Sequence, residues 1–180
     1  MRIVDLTRDR VDDTAALLQS AFRGRSDEWP DAAAARRTVD ASLDAGNISR
    51  VALDDADDVI GWIGAMPSYR GNVWEIHPIV VARERRRTGV GRALIGDVER
   101  LVRERGGLTL WAGSDDENGE TSLGGADLYD DIAGAIQTIR NLRGHPYEFF
   151  LNVGFRIAGV LPDANGPGKP DIFLAKPVVR

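Results

Sequence analysis

Val80-Val81-Ala82-Arg83-Glu84-Arg85-Arg86-Arg87-Thr88-Gly89-Val90-Gly91-Arg92-Ala93-Leu94 is the stretch on which the reading of this chain turns. An apolar run ends at Val81, an arginine-rich loop follows, and two glycines open a segment with Val90, Leu94, Val98, Leu101 and Val102 at helical spacing. The order is strand, loop, helix. The first backbone N–H groups of a helix have no partner inside it, and the helix dipole there favours an anion. Glycine lets an anion approach the backbone closely, because no Cβ stands in the way. Five arginines (Arg83, Arg85, Arg86, Arg87, Arg92) crowd this helix start, although a cation there is unfavourable by roughly 0.3–1 kcal/mol. An anion with several phosphates would neutralise the cluster; the other reading is a solvated basic turn. The glycine spacing is not that of a Rossmann fingerprint, and no Gly-Lys-Ser/Thr of a Walker loop is present.

Working outward, strands are expected at 3–6, 49–54, 59–66, 72–81, 108–112, 155–161 and 171–178, and helices at 9–22, 30–43, 89–105, 127–142 and 146–153. The resulting order β-α-α-β-β-β-α-β-α-α-β-β describes an α/β chain with a mixed sheet, read as one domain over 1–180 because no repeat or interdomain linker interrupts it. Residues 114–125 read as a polar loop. At 180 residues with 43% hydrophobic content, the chain can build a core without staples. It has no cysteine, which removes disulfides, thiolate nucleophiles and cysteine-ligated metals. Only two histidines are present, so a metal site would need several converging carboxylates; none is expected. The net charge of −5 argues against a nucleic-acid binder. Without an apolar leader core or a membrane-length apolar run, the expected location is the cytoplasm, off the membrane.

Arg86-x-x-Gly89-x-Gly91 resembles the pyrophosphate loop of the GNAT superfamily of acetyl-CoA-dependent N-acetyltransferases, and the element order is similar over nearly the whole chain. The resemblance implies a central sheet, mostly antiparallel, splayed between its fourth and fifth strands. It implies acetyl-CoA as cosubstrate, with Arg86, Arg87, Thr88, Gly89, Val90, Gly91 and Arg92 on the pyrophosphate. The strand Ile79, Val80, Val81 would lie on the pantetheine arm. Pro78 cannot donate to a ladder and suits a bulge or opening of the sheet. The stretches Gly144-His145-Pro146-Tyr147-Glu148-Phe149-Phe150, Val153-Gly154-Phe155, Leu161 to Gly166 and Gly168 to Ile172 further resemble bacterial aminoglycoside 6'-N-acetyltransferases. A homodimer is implied by the family alone.

Acetyl transfer to an amine needs a neutral nucleophile, a route for its proton and stabilisation of a developing oxyanion. A carboxylate can take the proton and also bind the ammonium form. Glu75 stands in the strand before the loop, where the family often places a catalytic glutamate, and strand alternation puts His77 on its face. Asp115, after the strand at 108–112, matches an aspartate of the aminoglycoside enzymes; it ranks slightly ahead of Glu75 as base. Asp116 is a neighbouring acceptor ligand or a solvated loop acid. Asn118 is a cofactor contact by resemblance or an ordinary turn residue. The family often carries a tyrosine that protonates the leaving thiolate; here Phe150 occupies that position, with Tyr147 one turn earlier. Both are placed near the cofactor by resemblance.

From Ser114 to Asp131 the chain has seven acids and no Lys or Arg. A polycationic small-molecule acceptor would meet a complementary field there, with Asp131 as well as Asp116 contributing; otherwise the stretch is a solvated face. Trp29 reads equally as an apolar wall for the acceptor or as a core tryptophan. The alternatives that keep the chemistry are a polyamine, amino-sugar or peptide-amine acceptor. A non-catalytic acyl-CoA sensor is the alternative without turnover.

Overall fold

The computed structural model describes residues 1–24, 26 and 28–178. Among the described residues, seven strands carry the sheet: β1 (Arg2–Asp5), β2 (Ile48–Leu53), β3 (Val59–Ser68), β4 (Val73–Val81), β5 (Thr109–Asp115), β6 (Arg156–Leu161) and β7 (Asp171–Pro177). The α-helices of the described residues are α1 (Val11–Phe22), α2 (Ala32–Ala41), α3 (Val90–Glu104), α4 (Ile132–Gln137) and α5 (Tyr147–Asn152). Hydrogen bonding orders the strands β1-β2-β3-β4-β5-β7-β6. The β1–β2, β2–β3, β3–β4 and β6–β7 pairs are antiparallel, and β4 and β5 are parallel. The fold is the mixed α/β sheet expected.

The chain divides into two compact units within β5. The first comprises Met1–Leu110 and Val178–Arg180. Its α3 buries Val90, Leu94, Ile95, Val98 and Val102 on one face and packs on β2, β3 and β4; each such side chain removed from water is worth about 1.5–3 kcal/mol. Gly61 makes this fit possible, since a Cβ there would stand 3.0 Å from Val90 Cγ1 and 3.1 Å from Leu94 Cδ1. A second cluster joins Val11, Ala15 and Leu18 of α1, Ala35 and Val39 of α2, and Trp62 of β3.

β4 carries a bulge. Ile79 pairs with Ile63 and Ile76 with Ala65, so His77 and Pro78 together oppose Gly64. The His77–Pro78 peptide is cis. Proline, having no N–H, costs the ladder no donor at this point.

The second unit is Trp111–Pro177. There α5 packs on β6 and β7, and α4 on β6. The long helix expected at 127–142 is not formed; α4 spans only Ile132–Gln137. Asp127 bonds the Tyr129 N–H instead, Asp131 caps α4 through the Gly134 N–H, and Gly134 sits inside the short helix. Such local bonds compete with helix, and an interior glycine weakens it by about 1 kcal/mol. Beyond α4, Asn141 bridges to Thr121 and Ser122 N–H donates to Arg140 O. β5 in turn extends to Asp115, three residues past its expected end.

Candidate active site

The arginine-rich loop belongs to the first unit. Ala82 N–H donates to Ile60 O, anchoring the end of β4. Arg86 Nε then donates to Val81 O at 3.2 Å, and the Thr88 hydroxyl donates to Arg85 O at 2.6 Å. Arg85 also pairs with Asp54 at 2.8 Å, bracing the loop against the acidic hairpin turn. Arg87 and Gly89 both adopt positive φ, 63° and 94°. Gly89 is the N-cap of α3, and a Cβ there would meet nothing within 4 Å.

Among the described residues, no side chain caps α3. α2, by contrast, is capped by Asp31, whose carboxylate accepts from Ala34 N–H at 2.7 Å. The first backbone bond of α3 is Ala93 N–H to Gly89 O, so the amides before it lie outside the helical ladder. An uncapped helix start, a left-handed glycine with open space above it, and surrounding arginines form a cradle suited to a phosphate group. Its order along the chain is the one expected, with Ile79, Val80 and Val81 leading into it along β4.

Glu75 and His77 are both partly buried on β4. Among the described residues, no hydrogen bond or ion pair engages the Glu75 carboxylate. His77 Nε2 lies 3.0 Å from Glu28 Oε1. Trp29, only 5% exposed, belongs to the core. Its Nε1 donates to Thr38 Oγ1 at 2.9 Å, its ring meets Phe22 edge-on, and it lies 5.9 Å from the His77 ring. Trp29 is therefore a core tryptophan that backs His77. Glu28 was not singled out by the sequence, because nothing local marks it as a neighbour of a strand residue 49 positions away.

In the second unit Asp115 is the last residue of β5, and its side chain is exposed. Asp116 differs from both readings given to it. It is 1% exposed; Oδ1 accepts from Glu120 N–H at 2.6 Å, and Oδ2 accepts from Thr121 N–H at 2.9 Å and the Thr121 hydroxyl at 2.7 Å. Its carboxylate holds the loop that follows β5. The polar loop at 114–125 consequently has an interior, with Thr121 and Leu123 buried as well. Asp131 is engaged as the α4 cap. Asn118 is exposed, and its carbonyl accepts from Arg143.

Tyr147 and Phe150 are buried in α5. Phe150 packs edge-on against Phe155 at 5.3 Å. Burial, with a smaller contribution from the charge of Glu148, pushes the Tyr147 phenol above its ordinary value. The residues missed in this unit are His145, which is buried, and Asn165. Both contact Asp115, yet they lie 30 and 50 positions from it.

Residues 12–123 match the Acetyltransferase (GNAT) family. The chain belongs to that family. It is an acyltransferase, and acetyl-CoA is the cosubstrate of GNAT enzymes. Among solved structures, an aminoglycoside 6'-N-acetyltransferase complexed with coenzyme A is 36% identical with a TM-score of 0.91, the match covering 100% of this chain and 98% of that one. The aminoglycoside 6'-N-acetyltransferase from Enterococcus faecium is 37% identical with a TM-score of 0.90, over the same shares. An aminoglycoside 6'-acetyltransferase type Ii is 32% identical with a TM-score of 0.76, covering 100% and 99%. Comparison with curated proteins found no match. Among the described residues, no helix of this GNAT chain is long and apolar enough to cross a membrane, and no group of three His, Cys, Asp or Glu is placed to hold a metal.

Proposed function

We propose that this GNAT acyltransferase acetylates the 6'-amine of aminoglycoside antibiotics, by direct transfer within a ternary complex. The observation that carries the reading is the likeness, over essentially the full chain at 32–37% identity, to three solved aminoglycoside 6'-acetyltransferases. The chain's own chemistry supports it. The α3 cradle suits the pyrophosphate of acetyl-CoA, with amides between Arg87 and Arg92 as donors. The Glu75 carboxylate on β4 and the exposed Asp115 carboxylate at the end of β5 are the two candidate proton acceptors. No cysteine is present to carry an acetyl group.

The ammonium of the acceptor first loses a proton to a carboxylate or, through it, to water. The amine nitrogen then bonds to the acetyl carbonyl carbon and, as the carbon–sulfur bond breaks, gives up a second proton to the carboxylate or to water, leaving the neutral amide. Coenzyme A leaves as its thiolate and takes a proton from solvent. Phe150 cannot supply that proton, and Tyr147 is buried with its phenol pushed up; a thiolate is a fair leaving group without a dedicated acid.

Asp115, together with exposed acids of the second unit such as Asp130, draws a polycationic acceptor. The same reading places the protein as a resistance enzyme of the cytoplasm, acting as one catalytic domain. Its test is thiol release from acetyl-CoA with kanamycin, spermidine or a peptide N-terminus as acceptor. Efficient turnover with kanamycin alone, at an acceptor KM that rises with salt, is the expected result. Preference for spermidine or the peptide would replace the aminoglycoside assignment.

A further inference from the structure

The end of β5 is clamped residue by residue. Ser114 N–H donates to Asp171 Oδ1 at 2.7 Å, and Asp116 N–H donates to Pro170 O at 2.9 Å. Gly113 permits this closure, because a Cβ there would stand 2.7 Å from Asp171 Oδ2. Asp115, between them, is held twice. Its carbonyl oxygen is 3.0 Å from His145 Nε2, and its Oδ1 accepts from the Asn165 side-chain amide at 2.5 Å.

His145 is 2% exposed, and its Nδ1 accepts from Tyr147 N–H at 3.2 Å. A carbonyl can only accept and an amide N–H can only donate, so these two partners fix the ring as the tautomer protonated on Nε2. Asn141 in turn holds the His145 backbone, accepting from its N–H at 2.8 Å and donating to its carbonyl at 3.0 Å. The backbone of Asp115 is thus fixed by a network centred on the buried His145. The direction of its carboxylate is left to Asn165, which sits in the turn between β6 and β7 with its own N–H bonded to Lys169 O.

We propose that Asn165 is a positioning residue for the acceptor, acting through Asp115. The inference rests on the reading of Asp115 as the acceptor's carboxylate. An exposed aspartate samples several rotamers, and each would offer an incoming ammonium a different bond direction. Asn165 selects one. Among the described residues no other hydrogen bond reaches the Asp115 side chain, so Oδ2 is left to accept one N–H of the amine. Acceptor binding gains from this fixed direction, and placement of the attacking nitrogen gains with it.

The test is a double-variant cycle on the full chain with kanamycin and acetyl-CoA as substrates: Asn165→Ala, Asp115→Ala and both together. Asn165 is exposed, so the fold should survive its truncation, checked by Tm. The expected result is a kanamycin KM raised about tenfold by Asn165→Ala, the size of one hydrogen bond to a charged group. The acetyl-CoA KM should not move. In the Asp115→Ala background the second change should add nothing. If Asp115→Ala has an effect and Asn165→Ala has none, or if the two effects simply add, Asn165 does not act through Asp115, while the carboxylate reading stands. If Asp115→Ala leaves kanamycin kinetics unchanged, the carboxylate reading itself is lost, and the positioning role with it.

Discussion

A Cβ on Gly64 would stand 2.7 Å from the carbonyl oxygen of His77, the residue at which β4 bulges and the cis peptide to Pro78 begins. Backbone meets backbone here, and neither has a flexible end to move aside. Gly64→Ala should therefore lower Tm by an amount equivalent to roughly 1–3 kcal/mol, the usual cost of overpacking. A shift of Glu75 and His77, the polar residues on the bulged strand, should follow and reduce kcat. Thermal melts alongside steady-state kinetics check this; an alanine variant with unchanged Tm and activity would show that the bulge tolerates displacement.

Gly89→Glu should abolish coenzyme A binding while the protein stays folded. Open space surrounds the Cβ position, so the change introduces no clash, but it sets a negative charge in the phosphate cradle. Gly89→Ala separates the contributions, since it carries only the strain of a left-handed φ, about 1 kcal/mol. Calorimetry with coenzyme A should find the alanine variant weakened mildly and the glutamate variant without measurable affinity. Parent-like affinity in a folded Gly89→Glu variant would remove the cradle from the cofactor site.

Asp115→Asn should lower kcat, or shift its pH profile to higher pH, more than Glu75→Gln does. Asp115 is exposed and oriented by Asn165, whereas no described residue engages the Glu75 carboxylate. A pH–rate series on both variants decides the order. Equal, mild effects would mean that the pKa of the amine itself governs the step.

Asp116→Asn should act on stability and not on the acceptor. Its carboxylate accepts three hydrogen bonds while nearly excluded from solvent, and an amide nitrogen in place of one oxygen would face donors. A loss of about 1–3 kcal/mol is expected, read by denaturant unfolding, with kanamycin KM in the surviving fold close to that of the parent. A large KM change at unaltered stability would return Asp116 to the acceptor site.

Tyr147 offers a pH signature. Its phenol is raised in the folded state, so the native protein holds that proton more firmly than the unfolded chain does. The resulting stabilisation is fully present below the unfolded value of about 10 and is lost as pH rises through the folded value. Tyr147→Phe should flatten this part of the alkaline unfolding curve, followed by circular dichroism above about pH 10.

Sequence patterns carried the order of elements because most are long and periodic. The five apolar residues that marked α3 fall within it, and four of them, Val90, Leu94, Val98 and Val102, are buried. The pattern over-read the segment 127–142, where Leu128 and Ile132 fit a helical stripe but Asp127 and Asp131 spend their carboxylates on local turns. It also stopped β5 at Ala112, one residue short of Gly113, the glycine that lets Asp171 close on the strand. The phosphate cradle was legible because all its parts lie within about twelve consecutive residues. The surroundings of Asp115 were not. His145 and Asn165 reach it from distant loops, and a histidine that donates to a backbone carbonyl leaves no pattern in the residues on either side.

The uncapped start of α3 has a consequence for the enzyme's life in a cell. A helix that supplies its own aspartate is complete when the chain folds; this one awaits a terminal partner from outside. If the pyrophosphate of acetyl-CoA fills that place, binding and folding are one linked equilibrium, and free cosubstrate at 100 times its Kd would add about 2.7 kcal/mol to the folded state. Metabolic supply would then set how much of the protein survives proteolysis as well as how fast it turns over. Starving a cell of coenzyme A and its esters would thin the enzyme population itself.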